Sequence, residues 1–580
     1  MDTIQREHET NSHCHVLGRF QSLSKPVIAL IMILSFAFNV WGNSWGAPDY
    51  WHPDELTKHA AGMVSGLTLN PHFFAYGGLH YYVLAIGAVI PAKVYGKLFD
   101  PRPKDSDTKI YSGWKERQER RVIILARSIS ALMATMQVFF TYLMGNMLFG
   151  SGAGILAALF LAVSPYFVGI AHFATVDTPA NFWYWLSCFL ALMFWKKGNG
   201  MWLVLASVTA GLAIGTKIDR LVILAPLFLS YVMRKEGIQI RKIFQSGALI
   251  IVGYIIANPT LLFSFFEFLD GTSRELFFNM MRGETGKTAY LELINNVKVG
   301  LGLPLFITAT GGFAYALWNF VSGRNRAELV WLIATFVPYY LIVGSRFVKT
   351  WYALFFFPAL TIFAAYGYIS VLRSFQQRYV IVIVKALVIL IISVSTLYSV
   401  SLILLLTNDS RYGAAQWVEQ HVPIYATIEM GPGEIPISVE KYHLIKRAKD
   451  PAHYEEYRLC LERLDSHKPY QMIRQRLLDL EHFWAEKFGK QIQRKPYISW
   501  FDRIAETLYS ENGDKIAFES PDYMILNGRN EASRVATLES PNSGYNLIAK
   551  FKYRNPLGIE TPFSFVNPEI YIFRHHRAST

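Results

Sequence analysis

About eleven apolar runs of near-spanning length constrain this chain more than any other feature. They lie at 26–45, 122–149, 153–172, 178–195, 199–216, 221–233, 246–266, 299–320, 328–344, 351–372 and 380–406. A helix needs about 20 apolar residues to cross hydrocarbon, and inside lipid only helices and closed barrels satisfy their own backbone. The runs therefore predict a polytopic α-helical membrane protein. With 52% hydrophobic and only 17% charged residues among 580, and a mean hydropathy of +0.23, the composition excludes an ordinary soluble protein. The net charge of +13 does not point to nucleic acid, because the Lys and Arg residues are scattered over many short loops. Lipid head groups or an anionic lipid-linked substrate suit such a distribution better. Cys14, Cys188 and Cys460 stand far apart, so neither a disulfide framework nor a Cys-based zinc site follows.

The punctuation between runs divides the chain. Residues 1–25 are polar and read as a cytosolic tail, with His8, His13, Cys14 and His15 in no metal-site pattern. The first run lacks a small-x-small cleavage site and reads as a retained span. Residues 26–407 form the transmembrane domain, with an external juxtamembrane loop at 46–121. After Thr407 charges become frequent and spanning segments stop, so 408–580 is expected to be a soluble α/β domain. The segment 79–97 is ambiguous. It is barely long enough to span, is interrupted by Pro91 and carries Lys93 and Lys97. A raw count of basic residues favours spanning. A surface-lying segment is preferred here because only that reading puts Asp54, Glu55, Asp177, Lys217, Arg220, Arg346 and Lys349 on one face.

Three stretches carry candidate chemistry. In Asp49-Tyr-Trp-His-Pro-Asp-Glu-Leu-Thr-Lys58, two adjacent acids follow the first span. Locally this reads as a helix start with Pro53 in the first position and acids near the positive end of the dipole. Carboxylates at a lipid boundary are costly to hold, which makes Asp54 and Glu55 functional candidates as well. Asp177, in Ala171-His-Phe-Ala-Thr-Val-Asp-Thr-Pro179, again resembles a helix start, with Thr178 as the cap. Gly344-Ser-Arg-Phe-Val-Lys-Thr-Trp-Tyr352 reads either as snorkelling cations at a membrane edge or as a site for an anion.

Taken in order, these pieces resemble the GT-C superfamily of polyprenyl-phosphate-dependent glycosyltransferases, in the branch of protein O-mannosyltransferases and the lipid A aminoarabinose transferase. The matching parts are His52-Pro-Asp-Glu55, Leu79 to Tyr82, the Arg-x-x-Ser-Ala helix from Arg127 to Phe149, and Ala174-Thr-Val-Asp-Thr-Pro179. They continue with Arg346 to Pro358 and Asp409-Ser-Arg-Tyr-Gly-Ala-Ala-Gln-Trp417. The chain departs from the pattern at Tyr76-Gly-Gly-Leu-His80, where relatives often have a Lys-Pro-Pro or His-Pro-Pro, so His80 stands in for a phosphate contact.

The resemblance implies transfer of a sugar from a polyprenyl-phosphate-linked donor to a hydroxyl on a protein, lipid or glycan. The residue types suit that chemistry. A carboxylate can take the acceptor proton, and fixed positive charge stabilises the phosphate as it leaves. Asp54 is expected to be the base, Glu55 its orienting neighbour and Asp177 a second acid. Arg346 and Lys349 are expected to bind the donor phosphate, with Lys217 and Arg220 in reserve. A single phosphate requires no cofactor, although paired acids can hold a divalent metal. The expected location is a plasma or inner membrane, or the endoplasmic reticulum in a eukaryote, with 408–580 extracytoplasmic. The competing class is a multi-span transporter, since charges at membrane edges also line transport paths. Against it, the two halves show no matched pair of broken spans.

Overall fold

In the computed structural model the described residues are 25–49, 51–52, 54–103, 108–234, 239–282, 289–345, 348–375, 377–430, 435–437, 441–446, 467–488, 521–528, 531–558, 563 and 565–577. The N-terminal histidines, Cys14, Pro53, Arg346 and Cys460 lie outside them.

The chain is an α-helical integral membrane protein with a small C-terminal sheet. Among the described residues, six helices are long and apolar enough to cross a bilayer, or up to eight if each of two bent pairs is one span. Shorter apolar helices occupy Lys25–Val40 and Gly200–Thr216. The bends have local causes. Ser151–Ala162 and Pro165–Ala171 meet at 60°, where Pro165 cannot continue the preceding hydrogen-bond ladder. Tyr290–Leu301 and Leu303–Val321 meet at 118° about Gly302, whose φ of +77° belongs to the region glycine tolerates.

The expected interruption at Pro91 does not occur. Leu79–Phe99 is continuous, and the five residues Ala85–Val89 just before the proline adopt a π turn. Widening the ladder there accommodates the missing N–H and the bulk of the ring, so the helix runs through.

The residues divide into two compact units. The first contains 1–43, 127–258 and 288–400, and its core is helix against helix. Helices Gly200–Thr216 and Ile240–Ala257 cross where Gly211 faces the Ile250 carbonyl and Gly253 faces the Val208 carbonyl. A Cβ at either glycine would collide with that backbone. Without a hydrophobic drive between helices in lipid, such close approach through small residues is what holds a pair.

The second unit contains 44–126, 259–287 and 401–580, so the segment after the first apolar helix belongs with the C-terminal residues. Its five-stranded sheet runs β2-β1-β3-β5-β4, where β1 is Thr427–Met430, β2 His443–Lys446, β3 Tyr523–Asn527, β4 Tyr545–Phe551 and β5 Ile570–His575. β1 is parallel to β2 and β3, whereas β5 is antiparallel to β3 and β4. Helix Ser410–His421 covers one face, burying Ala414 and Val418 against Ile428, Ile525 and Ile572. Helix Ala532–Leu538 contributes Val535 and Leu538 to a second cluster with Leu526 and Phe573.

Candidate functional site

In the second unit, the Asp54 loop is anchored to the first residues of helix Ser410–His421. Asp409 caps that helix by accepting the Arg411 N–H. Its carboxylate also takes the Trp45 indole N–H at 3.0 Å, the Asn567 N–H at 2.8 Å and the Arg411 guanidinium at 2.7 Å. Arg411 in turn donates to the Phe565 carbonyl and lies over the Trp51 ring with its Cζ 3.6 Å from the centroid. The Tyr412 hydroxyl accepts the Gly46 N–H at 2.8 Å. Asp409 and Arg411 are buried, so their charges satisfy one another rather than water. The Asp409-Ser-Arg-Tyr stretch thus holds Trp45 to Trp51 in place.

Asp54 and Glu55 follow immediately, but not as part of a helix. The next helix is Thr57–Ser65, with no acid in its first turn. Pro53, the expected first helical position, lies outside the described residues, but Asp54 and Glu55 are not helical and the His52 ring engages the backbone there. Its Nδ1 accepts the Asp54 N–H at 3.1 Å, and the ring packs on Phe565 at 4.4 Å. A side chain that accepts a nearby backbone N–H offers an alternative to the helical ladder. Glu55 is buried, whereas Asp54 keeps partial exposure. Asp49, at the head of the loop, has its carboxyl pushed up to about 6 by desolvation and by Glu116 and Glu119, against the opposing pull of Arg411 and Lys58.

Two further features of this unit bear on the reading: Glu267, which the sequence reading did not name, and His80, which it offered for a phosphate contact. Glu267 accepts from Asn70 at 2.7 Å and pairs with His72 at 2.7 Å, tying helix Phe265–Arg282 to the 70–74 loop. His80 is buried, and neither ring nitrogen has a hydrogen-bond partner among the described residues.

In the first unit a chain of four charges lies around the end of helix Gly200–Thr216. Lys217 Nζ donates to Asp177 Oδ1 at 2.7 Å and lies 3.9 Å from Asp219 Oδ2. Arg220 donates to Asp219 Oδ1 at 2.8 Å, and the Tyr339 hydroxyl donates to Asp219 Oδ2 at 3.4 Å. Aromatic faces complete the enclosure. Lys217 Nζ lies 4.4 Å from the Tyr352 centroid, and Arg220 lies against Tyr339 and Phe355. Burial alone would push the Lys217 ammonium down, but Asp177 and Asp219 outweigh it and hold it raised, so it stays charged. Asp177 opens helix Asp177–Lys197 itself. Its N-cap position is Val176, so the expected Thr178 cap is absent and the Thr178 hydroxyl has no partner among the described residues. Lys217 pairs with the Asp177 carboxylate, and the helix start has no side-chain cap.

Sequence reasoning named Asp177, Lys217 and Arg220 but missed Asp219. The alternation of charge in Lys217-Ile-Asp-Arg220 was the available signal. Lys349 rests 4.8 Å from the Trp351 ring centroid, and its intended partner Arg346 is outside the described residues. Arg127, first residue of the Arg-x-x-Ser-Ala piece, is buried and donates to the Asn43 carbonyl at 2.8 Å, tying helix Thr108–Phe149 to the turn after helix Lys25–Val40. Among the described residues, no three His, Cys, Asp or Glu side chains converge as metal ligands.

Comparison with known proteins gives these geometries a context. Residues 121–263 match the family model described as dolichyl-phosphate-mannose-protein mannosyltransferase. A curated relative from Bacillus subtilis (strain 168), "Putative mannosyltransferase YycA", is 29% identical over 131 residues, 23% of this chain and 19% of its own length. The chain therefore spans about a fifth of that relative. Among solved structures, ArnT from Cupriavidus metallidurans bound to undecaprenyl phosphate is similar with a TM-score of 0.49 and 14% identity, over 95% of this chain and 98% of that one. The Archaeoglobus fulgidus oligosaccharyltransferase in its apo form is similar with a TM-score of 0.44 and 13% identity, over 76% and 68%. The GT-C resemblance read from the motifs is thus met by a family match whose segment contains the Asp177, Lys217, Asp219 and Arg220 network.

Proposed function

We propose that this protein is a membrane glycosyltransferase that moves a sugar from a polyprenyl-phosphate-linked donor to a hydroxyl acceptor. The observation that carries the reading is the buried four-charge network inside the stretch that matches a dolichyl-phosphate-mannose-dependent family. A membrane protein has little reason to bury two acids and two cations together unless fixed charge serves chemistry, since desolvating them costs several kcal/mol each.

In this reaction the acceptor oxygen attacks the anomeric carbon as the bond from that carbon to the carrier phosphate breaks. The acceptor proton passes to a carboxylate, and the leaving phosphate takes up negative charge. Asp54 is assigned the base because it is the more exposed of the paired acids and sits on a loop fixed by Asp409, Arg411 and Tyr412. Glu55 orients it or the acceptor. Lys349 and Arg346 are assigned to the carrier phosphate. Lys217 is a reserve for that role, held charged by Asp177. Arg220, paired with Asp219 and enclosed by rings, is assigned to positioning, as is His80. Paired acids are ligands a divalent ion can use, but a single phosphate does not demand one. The acceptor-facing side, with residues 408–580, is assigned to the extracytoplasmic face.

Asp54→Asn tests the assignment. The change is nearly isosteric and removes basicity, so sugar transfer should fall by 10²–10⁴-fold while thermal stability and donor binding stay near the parent's. Turnover within a few-fold of the parent would move the base to Glu55 or Asp177.

A further inference from the structure

A groove of about 960 Å³ lies in the second unit, between helices Thr57–Ser65 and Ile90–Phe99 on one side and the start of helix Thr108–Phe149 on the other. Five cations line it: Lys58, Lys93, Lys97, Arg102 and Lys115. Two acids, Asp49 and Glu119, oppose them, so the groove is positive on balance.

The walls are fixed mainly through Asp100, Trp114 and Gln118, while of the lining cations Lys115 lies 3.9 Å from Glu119 and Arg102 lies over the Tyr111 ring. Asp100 ends helix Ile90–Phe99 and accepts Arg117 at 3.1 Å and Arg121 at 2.8 Å. The Trp114 indole donates to the Asp100 carbonyl at 2.9 Å. At Gly96 the absence of a Cβ lets Gln118 seat directly on the helix backbone. Lys93 donates to Ser65 at 3.0 Å, bridging the first two helices.

The outer face of the same helix has a different character. Ile86, Ile90, Val94 and Leu98 recur every four residues, which places them on one face, and they are 44–69% exposed. Phe99 and Tyr95 extend the apolar surface beside them. Leu79–Phe99 is one of the six helices long and apolar enough to cross a bilayer, so this exposed stripe is a surface suited to lipid chains, with the lysines beside it.

From the cation-lined groove beside the exposed aliphatic stripe of helix Leu79–Phe99, we propose that this groove binds the phosphate head group of an anionic membrane lipid whose acyl chains lie along the stripe. The charge chooses the head group and the stripe accounts for the chains. The site consists of residues assigned no part in sugar transfer, so it stands or falls independently of that reading.

The test uses the full-length protein in detergent with dioleoyl phosphatidylglycerol or dioleoyl phosphatidylcholine added, and retained lipid counted by native mass spectrometry. The parent should retain phosphatidylglycerol in preference to phosphatidylcholine. Lys93→Ala with Lys97→Ala removes two exposed charges and should weaken that retention roughly 30-fold, since each basic side chain near an anionic surface is worth about a five-fold factor. Lys97→Glu, which keeps a long helix-forming side chain, should weaken it as well, and matched melting temperatures would show that both variants fold. Equal retention of the two lipids by the parent, or undiminished retention by both variants, would overturn the proposal. So would displacement of phosphatidylglycerol by inorganic phosphate at the same concentration, because the groove would then be a site for free anions.

Discussion

Asp177 and Lys217 form a buried pair whose partners cannot be removed singly without cost. Lys217→Ala would leave the Asp177 carboxylate uncompensated, and breaking such a pair typically costs about 3–5 kcal/mol. Lys217→Met combined with Asp177→Asn removes both charges and should recover most of the melting temperature lost by the single change. If Lys217 also contacts the carrier phosphate, transfer will remain low in the stable double variant. Recovery of transfer along with stability would make the pair purely structural.

Asp49 offers a second residue-scale prediction. With its carboxyl near 6, it is neutral at pH 5 and ionised at pH 7, facing Lys58, Glu116, Glu119 and Arg411. Ionisation adds negative charge to the wall of the basic groove, so phosphatidylglycerol retention should fall as pH rises from 5 to 7. A phosphodiester head group does not titrate in that window, so the dependence reports on the protein. Asp49→Asn should hold retention at its acidic level across the range, and an unchanged pH profile in that variant would remove Asp49 from the account.

At the scale of elements, the crossing of Gly200–Thr216 with Ile240–Ala257 makes a sharp comparison. Gly211→Ala pushes a methyl into the Ile250 carbonyl and should destabilise by about 1–3 kcal/mol, as overpacking does. Gly247 lies on one of the same helices with open space where its Cβ would be, so Gly247→Ala should be neutral or stabilising by up to about 1 kcal/mol. Melting temperatures of the purified variants decide it. Equal effects at the two positions would show that the crossing is not set by backbone contact. The apolar runs marked where helices form, but among the described residues six to eight helices, rather than about eleven, are long and apolar enough to cross a bilayer, because several runs fold as shorter or bent helices. Local starts were less legible. The Pro53 and Thr178 readings applied local capping rules, whereas His52 takes the Asp54 N–H and helix Asp177–Lys197 starts ahead of Thr178, with Val176 in the cap position. Neither departure is displayed by the local sequence. Pro91 failed as a breaker for a related reason, since a π turn upstream absorbed it.

For the molecule as a whole, the compact unit that holds the C-terminal sheet starts at Ser401 and also takes in residues 44–126 and 259–287, an association the sequence reading did not contain. That association depends on Asp409 and Arg411 meeting Trp45 and Trp51 across more than three hundred and fifty residues, which no local pattern encodes. The motif Asp409-Ser-Arg-Tyr was visible in the sequence, but its task, holding the loop that carries Asp54, is set by contacts with residues far away along the chain. Asp219 remained hidden between two basic residues that were noticed. The central claim, however, concerns chemistry rather than packing, and it is tested most directly by following the carrier. Proteoliposomes containing the protein would be supplied with radiolabelled undecaprenyl phosphate mannose and membrane extract as acceptor, and both released undecaprenyl phosphate and the fate of the label measured. The account predicts free undecaprenyl phosphate in proportion to label covalently attached to acceptor, with both lost in Asp54→Asn. Label accumulating inside the vesicles with no undecaprenyl phosphate released and no covalent product would contradict it and identify a transporter.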